Sequence, residues 1–394
     1  MRPSTEPSGP GRPQRLAATF RGLFRTEPLL IRSPGRVNLI GEHTDYNEGF
    51  VLPAAVDKAI YFAIGPRPGG KVTLHAADLE ESHEFEITGL APSDKRWPNY
   101  LIGVVDQILK AGHHLGGFAC VYGGDIPIAS GMSSSAALEA GLAFALNRLF
   151  GLGLAPLEIV KLAQKAENEF VGVRCGIMDM FANIFGRAKS VIRLDCRSLE
   201  YEYFPFERDD LRVVLCDTLV KRELAASEYN VRRGQCEAGV KVLAARYPGV
   251  RSLRDATPEM LAAHRAEFDP VVFRRCDYVV RENGRVGEAC ADLGAGDFAA
   301  FGRRMNGSHD GLRDDYEVSC RELDVLVDAA RSVRGVLGAR MMGAGFGGCT
   351  INLVEEKAVG ALEDAAARAY RDAFGKDPKL YIGSLRTGTE VLPS

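Results

Sequence analysis

Near its N-terminus the chain reads Gly35-Arg36-Val37-Asn38-Leu39-Ile40-Gly41-Glu42-His43-Thr44-Asp45-Tyr46. This stretch crowds two carboxylates, an imidazole and a guanidinium together, whereas the residues on both sides of it are apolar and strand-like. Turns between such strands are usually built from small polar residues and need no such set of charges. The four groups donate and accept hydrogen bonds in several directions, which suits a ligand made of hydroxyls. The residues alone leave two interpretations open, a hydroxyl-binding site and a solvated charged loop.

Composition and charge exclude several classes of protein. The chain has 394 residues, enough for two or three domains, and its 46% hydrophobic and 26% charged residues are ordinary for a soluble globular protein. The net charge of −3 gives no electrostatic footprint for nucleic acid or an anionic membrane. No apolar run approaches the ~20 residues that cross a bilayer. We therefore expect neither nucleic acid nor a membrane among its partners.

The nine cysteines are scattered and odd in number, and no two are spaced as C-x-x-C. This pattern argues against a disulfide framework and against a structural zinc site, and it favours reduced thiols in a cytoplasmic protein. Residues 1–14 are rich in Pro, Gly, Ser and Arg and lack the apolar core of a secretory signal. Because such a composition buries little surface, it predicts a disordered tail.

Apolar periodicity along the rest of the chain alternates between strands and helices without a strict βαβ rhythm, which predicts an α+β fold. The predicted helix from Ala136 to Phe150 is apolar on nearly all sides, so we expect it in the core. A domain transition is expected between Asp195 and Arg212.

A serine-rich loop, Pro127 to Ala137, runs directly into that buried helix. The first turn of a helix has unpaired N–H groups and a partial positive charge, so it can hold a phosphate. Gly131 would let the backbone approach the phosphate closely, and three consecutive serines would add hydroxyl donors. A serine N-cap after a turn is the simpler alternative. The loop lacks the Walker lysine, which disfavours a Walker-type nucleotide fold.

Two further segments carry candidate function. Asp179 lies among large apolar side chains, where a carboxylate is costly without partners, so it is either a helix cap or a functional group. The glycine cluster Met342 to Cys349 formally fits G-x-G-x-x-G, but a strand-like segment follows it where a dinucleotide site requires a helix. A tight turn before a strand is the alternative that remains.

Together these motifs resemble the GHMP small-molecule kinases. Residues 35–46 are similar to the sugar-recognition signature of the galactokinases, the serine loop to the second family motif and the glycine cluster to the third. The resemblance implies a two-domain architecture with the active site in the cleft between an N-terminal domain (15–206) and a C-terminal domain (207–394). It further implies a cytoplasmic monomer that uses ATP and Mg²⁺ to phosphorylate galactose at its anomeric hydroxyl.

The resemblance also implies roles for individual residues. Asp179 would be catalytic, orienting the sugar hydroxyl and accepting its proton late, with Arg36 beside it to hold the carboxylate and steady phosphate charge. The implied sugar contacts are Glu42, His43, Asp45, Gly176 and Tyr229. The implied nucleotide contacts are Gly131, Ser133, Ser134, Ser135, Ala136 and Trp97. Ser135 and Glu167 would hold Mg²⁺, a small ligand set that suffices because this ion keeps several waters and binds the phosphates.

Four positions depart from the family pattern: Met180 replaces a usual Gln, Glu48 a usual Gly, Asn168 a common His and Ala344 a common Gly. Met180 either alters rate or sugar preference or simply repacks the core. Two rivals remain beside galactose phosphorylation: a related kinase acting on the anomeric carbon of N-acetylgalactosamine or arabinose, and a non-catalytic sugar sensor. The polar sugar-binding set favours galactose, and the intact serine loop and carboxylates argue against a sensor.

Overall fold

The computed structural model describes residues 11–127, 131–206, 208, 210–220 and 225–393, with only the backbone described at 225 and 226. Part of the predicted serine loop, residues 128–130, lies outside these ranges, as does most of the predicted tail. The first helix already begins at Arg12, so the prediction of disorder through residue 14 is wrong for Arg12, Pro13 and Gln14. Proline at the start of a helix is favourable because its missing N–H would have no helical partner there.

Strands and helices occur largely in separate runs along the described residues, which confirms the predicted α+β class. The strands are β1 (Leu29–Asn38), β2 (Phe50–Val51), β3 (Pro53–Arg67), β4 (Lys71–Ala76), β5 (Glu81–Glu86), β6 (Gly117–Gly124), β7 (Ser190–Asp195), β8 (Tyr201–Pro205), β9 (Leu211–Asp217), β10 (Val336–Met341), β11 (Cys349–Glu355), β12 (Lys379–Gly383) and β13 (Glu390–Val391). The helices are α1 (Arg12–Phe24), α2 (Arg96–Lys110), α3 (Ser134–Phe150), α4 (Pro156–Lys165), α5 (Met178–Phe185), α6 (Ala225–Ala244), α7 (Pro258–Ala263), α8 (Pro270–Gly294), α9 (Phe298–Asp314), α10 (Arg321–Arg331) and α11 (Val359–Phe374). No helix in the described ranges is long and apolar enough to cross a membrane.

The strands form three sheets. The largest has the order β13-β1-β3-β6-β4-β5, the second β10-β11-β9-β12 and the third β2-β7-β8. All neighbours are antiparallel except β4 and β6, which are parallel. The last strand, β13, returns to pair with β1, where Val391 lies opposite Ile31. The predicted boundary at residue 206 therefore does not account for the C-terminal segment, which joins the N-terminal sheet.

Helix α3 packs directly against the strand that carries the charged signature. The Ser33 hydroxyl on β1 donates to the Ala137 carbonyl of α3 at 2.7 Å, and a Cβ on Gly141 would lie only 2.7 Å from the Ser33 side chain. Glycine at position 141 thus permits the close approach of helix and sheet. As a result the Arg36 N–H lies 3.0 Å from the Met132 carbonyl, beside the serine loop.

Two of the four positions that depart from the family pattern, Glu48 and Met180, have a structural explanation. Glu48 has φ 59°, in the left-handed region that favours glycine, and its carboxylate accepts from Arg197 at 2.8 Å. Met180 is fully buried in an apolar cluster with residues of α3, α4 and β7. The interpretation of Met180 as a residue of the core is therefore the one that the packing favours.

The helical segment that begins at Pro156 changes its form before it ends. Helix α4 ends at Lys165, and a π-helical turn follows from Ala166 to Val171. π-Helical turns are rare in proteins as a whole, but those that occur are frequently found at functional sites. This one carries Glu167 and Asn168.

Candidate active site

A cavity of about 630 Å³ lies between the N-terminal elements and the glycine cluster of the C-terminal half. It brings together most of the residues that the sequence singled out, which lie far apart along the chain. Its lining includes Arg36, Glu42, His43, Asp45, Arg96, Asn99, Tyr100, Ser135, Glu167, Cys175, Gly176, Met178, Asp179, Tyr229, Gly343 and Ala344.

The floor of the cavity is an ion pair between β1 and α5. Arg36 donates from Nε to Asp179 Oδ1 at 2.7 Å and from Nη2 to Oδ2 at 2.8 Å, a bidentate arrangement. The Arg36 side chain is buried, whereas that of Asp179 is 26% exposed. Burial lowers the pKa of Arg36, but the Asp179 charge overrides this and leaves the pKa above its ordinary value. The guanidinium therefore stays charged, and the Asp179 carboxylate is accessible from the cavity.

Asp45 faces the same cavity from the short 3-10 helix Asp45–Asn47. Its Oδ1 accepts the Tyr46 N–H at 2.9 Å. Burial, and next the charge of Asp179, raise the pKa of Asp45 to about 7. A Cβ on Gly176 would lie 1.9 Å from Asp45 Oδ2, so a side chain at position 176 would displace this carboxylate. Gly176 therefore makes room for Asp45 rather than offering a side chain of its own.

Glu42 is almost fully buried, and one of its oxygens is held from the C-terminal half. Oε1 accepts the Gly343 N–H at 2.8 Å and an Arg340 Nη2 hydrogen at 3.0 Å. Arg340, on β10, is itself fully buried and also donates to the Leu39 carbonyl at 2.8 Å. Arg340 is not among the residues predicted from the sequence, although a single arginine within the otherwise uncharged segment 336–341 is a usable signal.

His43 adopts φ 64° and lies on the cavity wall with both ring nitrogens engaged. Nε2 lies 3.2 Å from the Ala344 carbonyl oxygen and Nδ1 lies 2.8 Å from the Tyr46 hydroxyl. Burial lowers the pKa of His43 to about 3, so the ring is neutral. Tyr229, on α6, packs against this wall, with ring centroids 5.5 Å from His43 and 5.1 Å from Tyr46.

The serine loop enters α3 at the opposite end of the cavity. Ser133 has φ 54° and makes no side-chain capping hydrogen bond to the helix, so the simple N-cap interpretation fails for this residue. Ser134, Ser135 and Ala136 form the first turn of α3, and Ser135 lines the cavity. Gly131, with φ 85°, precedes the turn, and its carbonyl accepts from Arg36 Nη1.

Glu167 lies beside Ser135 on the π-helical turn. Burial, and next the charge of Asp179, raise the pKa of Glu167 to about 7, while hydrogen bonds that include one from Ser135 oppose the rise. A buried carboxylate with a hydroxyl beside it is a set of hard oxygen donors of the kind that Mg²⁺ prefers. No group of three or more His, Cys, Asp or Glu residues that could hold a metal ion is found within the described ranges.

Trp97 does not lie on the cavity. Its Nε1 donates to Glu81 Oε2 at 3.0 Å, and its ring packs 5.9 Å from Tyr122. Arg96 and Tyr100 of the same helix line the cavity instead, a distinction that helical periodicity alone did not reveal. The prediction that Trp97 contacts the nucleotide therefore receives no support from the geometry.

Comparisons with known proteins agree with this site. Residues 18–66 match the galactokinase galactose-binding signature, residues 99–187 the GHMP kinase N-terminal domain and residues 289–372 the GHMP kinase C-terminal domain. The chain is 47% identical over 354 residues to a galactokinase of Roseiflexus sp., covering 90% of each chain. It is 42% identical over 386 residues to a galactokinase of Clostridium acetobutylicum, covering 95% of this chain and 97% of the relative.

Among solved structures, the crystal structure of Lactococcus lactis galactokinase complexed with galactose superposes with a TM-score of 0.93. It is 38% identical to this chain and covers 96% of it, and 99% of that protein is matched. The chain therefore belongs to the galactokinases, ATP-dependent sugar kinases of the GHMP family.

Proposed function

We propose that this chain transfers the γ-phosphate of ATP to the anomeric hydroxyl of galactose to give galactose 1-phosphate. The observation that carries the proposal is the Arg36–Asp179 pair, which lies between Asp45 and Tyr229 on one side and the serine loop on the other. The pair thus stands where a sugar hydroxyl and a terminal phosphate would meet. The related Lactococcus lactis enzyme, which was crystallised with galactose, supports the choice of sugar.

In this proposal Asp179 orients the attacking hydroxyl and accepts its proton. Both oxygens of the Asp179 carboxylate accept hydrogen bonds from Arg36, and a loose phosphoryl-transfer transition state requires little early deprotonation of the attacking hydroxyl. Asp179 therefore takes the proton late, as the new O–P bond forms. The same guanidinium reaches the Gly131 carbonyl, so it stands close enough to the serine loop to stabilise charge on the transferred phosphoryl group.

Sugar recognition is assigned to the carboxylates of Glu42 and Asp45 and to the ring of Tyr229. Carboxylate oxygens accept hydrogen bonds from sugar hydroxyls, and an aromatic face covers the C–H surface of a hexose. Gly176 leaves space for Asp45. Because buried acceptors left without a hydroxyl partner are costly, this arrangement discriminates between epimers.

ATP is assigned to the serine loop, with its phosphates at the N-terminus of α3 beside Gly131, Ser133 and Ser134, and with Ala136 contributing only its backbone. Mg²⁺ is assigned to Ser135 and Glu167. When bound, the ion would supply positive charge to the phosphates. Ser135 and Glu167 would hold the ion at the phosphate end of the cavity.

We also propose a cytoplasmic monomer with two domains that divide near residue 206. The matches to the two GHMP kinase domains fall on either side of that residue, and all nine cysteines are free. Light scattering after size exclusion tests the monomer, since a molar mass near 43 kDa is expected and twice that value would exclude it.

The proposed reaction is tested by ADP release with Mg-ATP and a panel of galactose, glucose, N-acetylgalactosamine and arabinose. We expect the highest kcat/KM for galactose, with a ³¹P resonance of a sugar 1-phosphate as product. A higher value for N-acetylgalactosamine or arabinose would assign the chain to a related anomeric kinase. A phosphate found on another hydroxyl would exclude the assigned role of Asp179.

A further inference from the structure

Two consecutive side chains of the charged signature reach two consecutive residues of the glycine cluster. Glu42 Oε1 accepts the Gly343 N–H at 2.8 Å, and His43 Nε2 lies 3.2 Å from the Ala344 carbonyl oxygen. These contacts join residues about 300 positions apart in the chain. They attach the loop that carries the sugar-binding carboxylates to the loop that closes the other side of the cavity.

The hydrogen-bond roles of the His43 ring follow from its partners. A carbonyl oxygen only accepts, so Nε2 carries the hydrogen and donates to Ala344. The ring is neutral, so Nδ1 is an acceptor and the Tyr46 hydroxyl donates to it at 2.8 Å. The Tyr46 oxygen lies 2.6 Å from the hydroxyl of the buried Tyr316, which supplies the next hydrogen bond. Both His43 nitrogens are thus used within the protein, and neither remains for a sugar hydroxyl.

The glycine cluster lies near the serine loop, within the reach of one added methyl group. A Cβ on Gly343 would lie 3.6 Å from the Gly131 carbonyl oxygen, an ordinary van der Waals separation. Gly131 precedes the first turn of α3, where the phosphates of ATP are assigned. A displacement of Ala344 and Gly343 would therefore be transmitted to the phosphate end of the cavity more directly than to Asp45.

We infer that His43 is a positioning residue for the nucleotide: by donating to the Ala344 carbonyl it fixes the glycine cluster against the serine loop. This rests on the proposed function and changes the part that His43 plays in it, since the prediction made His43 a sugar contact. Tyr46 and Tyr316 act through His43 by holding its ring in the donating tautomer. Glu42 keeps its sugar-binding role through the oxygen that Gly343 and Arg340 leave free.

Two amide substitutions separate the nitrogens of the ring. In His43→Asn the side-chain oxygen replaces the acceptor Nδ1 and the donor to Ala344 is lost, whereas in His43→Gln an amide nitrogen replaces the donor Nε2. We expect His43→Asn to weaken binding of the Mg²⁺ complex of the ATP analogue AMP-PNP by about tenfold, the usual effect of one lost hydrogen bond of this kind. The AMP-PNP affinity of His43→Gln should lie between that of the parent and that of His43→Asn. Galactose affinity, measured by calorimetry without nucleotide, should change less than threefold in both variants.

If His43 had a purely structural role, the order of the two variants would be reversed, and His43→Gln would be impaired more than His43→Asn. At φ 64° asparagine is tolerated better than glutamine, so backbone strain alone would damage His43→Gln more. Greater damage in His43→Gln, an unchanged AMP-PNP affinity in His43→Asn or a loss of galactose affinity equal to the loss for AMP-PNP would overturn the inference. If His43→Asn does not fold, Tyr46→Phe tests the same hydrogen bond between His43 and Ala344. Without the Tyr46 hydroxyl the His43 ring is free to take the other tautomer. Binding of AMP-PNP should then weaken while galactose binding is retained. Failure of the parent to release ADP with galactose would instead refute the proposed function, and the AMP-PNP measurement is independent of that result.

Discussion

Arg36 donates hydrogen bonds to both oxygens of the Asp179 carboxylate, at 2.7 Å and 2.8 Å, and its remaining terminal nitrogen donates to the Gly131 carbonyl. One buried guanidinium therefore fixes the position of the proposed base and of the proposed phosphate loop relative to each other. In-line transfer requires just such a fixed geometry, because small displacements of reacting groups cost large factors in rate.

Asp179→Asn is expected to lower kcat by about 10²–10⁴, the usual range for a lost acid–base group, while the galactose dissociation constant changes little. The amide cannot accept the proton, and its NH₂ would face one of the Arg36 donors. Steady-state ADP release and calorimetry with galactose measure the two quantities. Arg36→Lys is the matched control for the pair, since it keeps the charge but loses the bidentate fork, and it should also lower kcat. Turnover of Asp179→Asn near the parent level would exclude Asp179 as the proton acceptor.

Gly176→Ala is expected to raise the galactose dissociation constant at least tenfold and to lower the free energy of unfolding. The new Cβ would lie 1.9 Å from Asp45 Oδ2 and would turn that carboxylate out of place, a displacement worth about 1–3 kcal/mol in other overpacked sites. Gly287→Ala is the matched control, because position 287 is an exposed residue of α8 with open space around it. It should leave galactose affinity unchanged and stabilise the fold slightly. Equal galactose affinity in both variants would contradict the role of Asp45.

Asp45 makes the stability of the ligand-free protein depend on pH. Its pKa is raised from 3.8 to about 7 by burial, so the folded state holds a proton that the unfolded state has already lost. The free energy of unfolding therefore falls as pH rises from about 4 to about 7 and levels off above that. Urea unfolding at a series of pH values measures this slope. In Asp45→Asn the slope should be shallower and the stability at pH 8 higher than in the parent, whereas an unchanged slope would contradict the raised pKa.

Met180→Gln, which restores the residue usual in the family, is expected to destabilise this protein by about 1–3 kcal/mol. Met180 is fully buried among apolar side chains, where an amide without partners is costly. Met180→Leu, of similar volume, should cost less than about 1.5 kcal/mol. Urea unfolding measures both. The ratio of kcat/KM for galactose to that for N-acetylgalactosamine should be the same in both variants and the parent, and a change in this ratio would restore Met180 as a determinant of sugar preference.

Several parts of the site could be predicted from the sequence because short-range patterns encode them. A serine loop that runs into an apolar helix indicates a helix N-terminus in the core, as Ser135 shows. An isolated carboxylate among apolar residues requires a partner, and Arg36 is the partner of Asp179. The family resemblance then predicted that motifs distant in the chain meet in one site. No local sequence pattern contains that information.

The features that were not predicted depend on which distant elements pack together. Arg340 reaches Glu42 only because β10 lies behind the end of β1, and Tyr316 reaches Tyr46 across the boundary between the two halves. Trp97 shows the same limit within a single helix, since the family resemblance implied a nucleotide contact for Trp97, whereas Arg96 and Tyr100 of α2 are the residues that line the cavity. Side-chain partners of this kind are set by tertiary packing rather than by residue spacing.

The return of β13 to the edge of β1 has a consequence for biosynthesis. Arg36 lies on a strand whose outer neighbour follows it by about 360 positions (Ile31 to Val391), so the nascent chain cannot complete this sheet until residue 391 has left the ribosome. Until then the Ile31 edge exposes unpaired backbone groups, which makes it a point where a chaperone or a second nascent chain could bind. The sheet that carries Arg36 is thus assembled from strands that are synthesised about 360 residues apart.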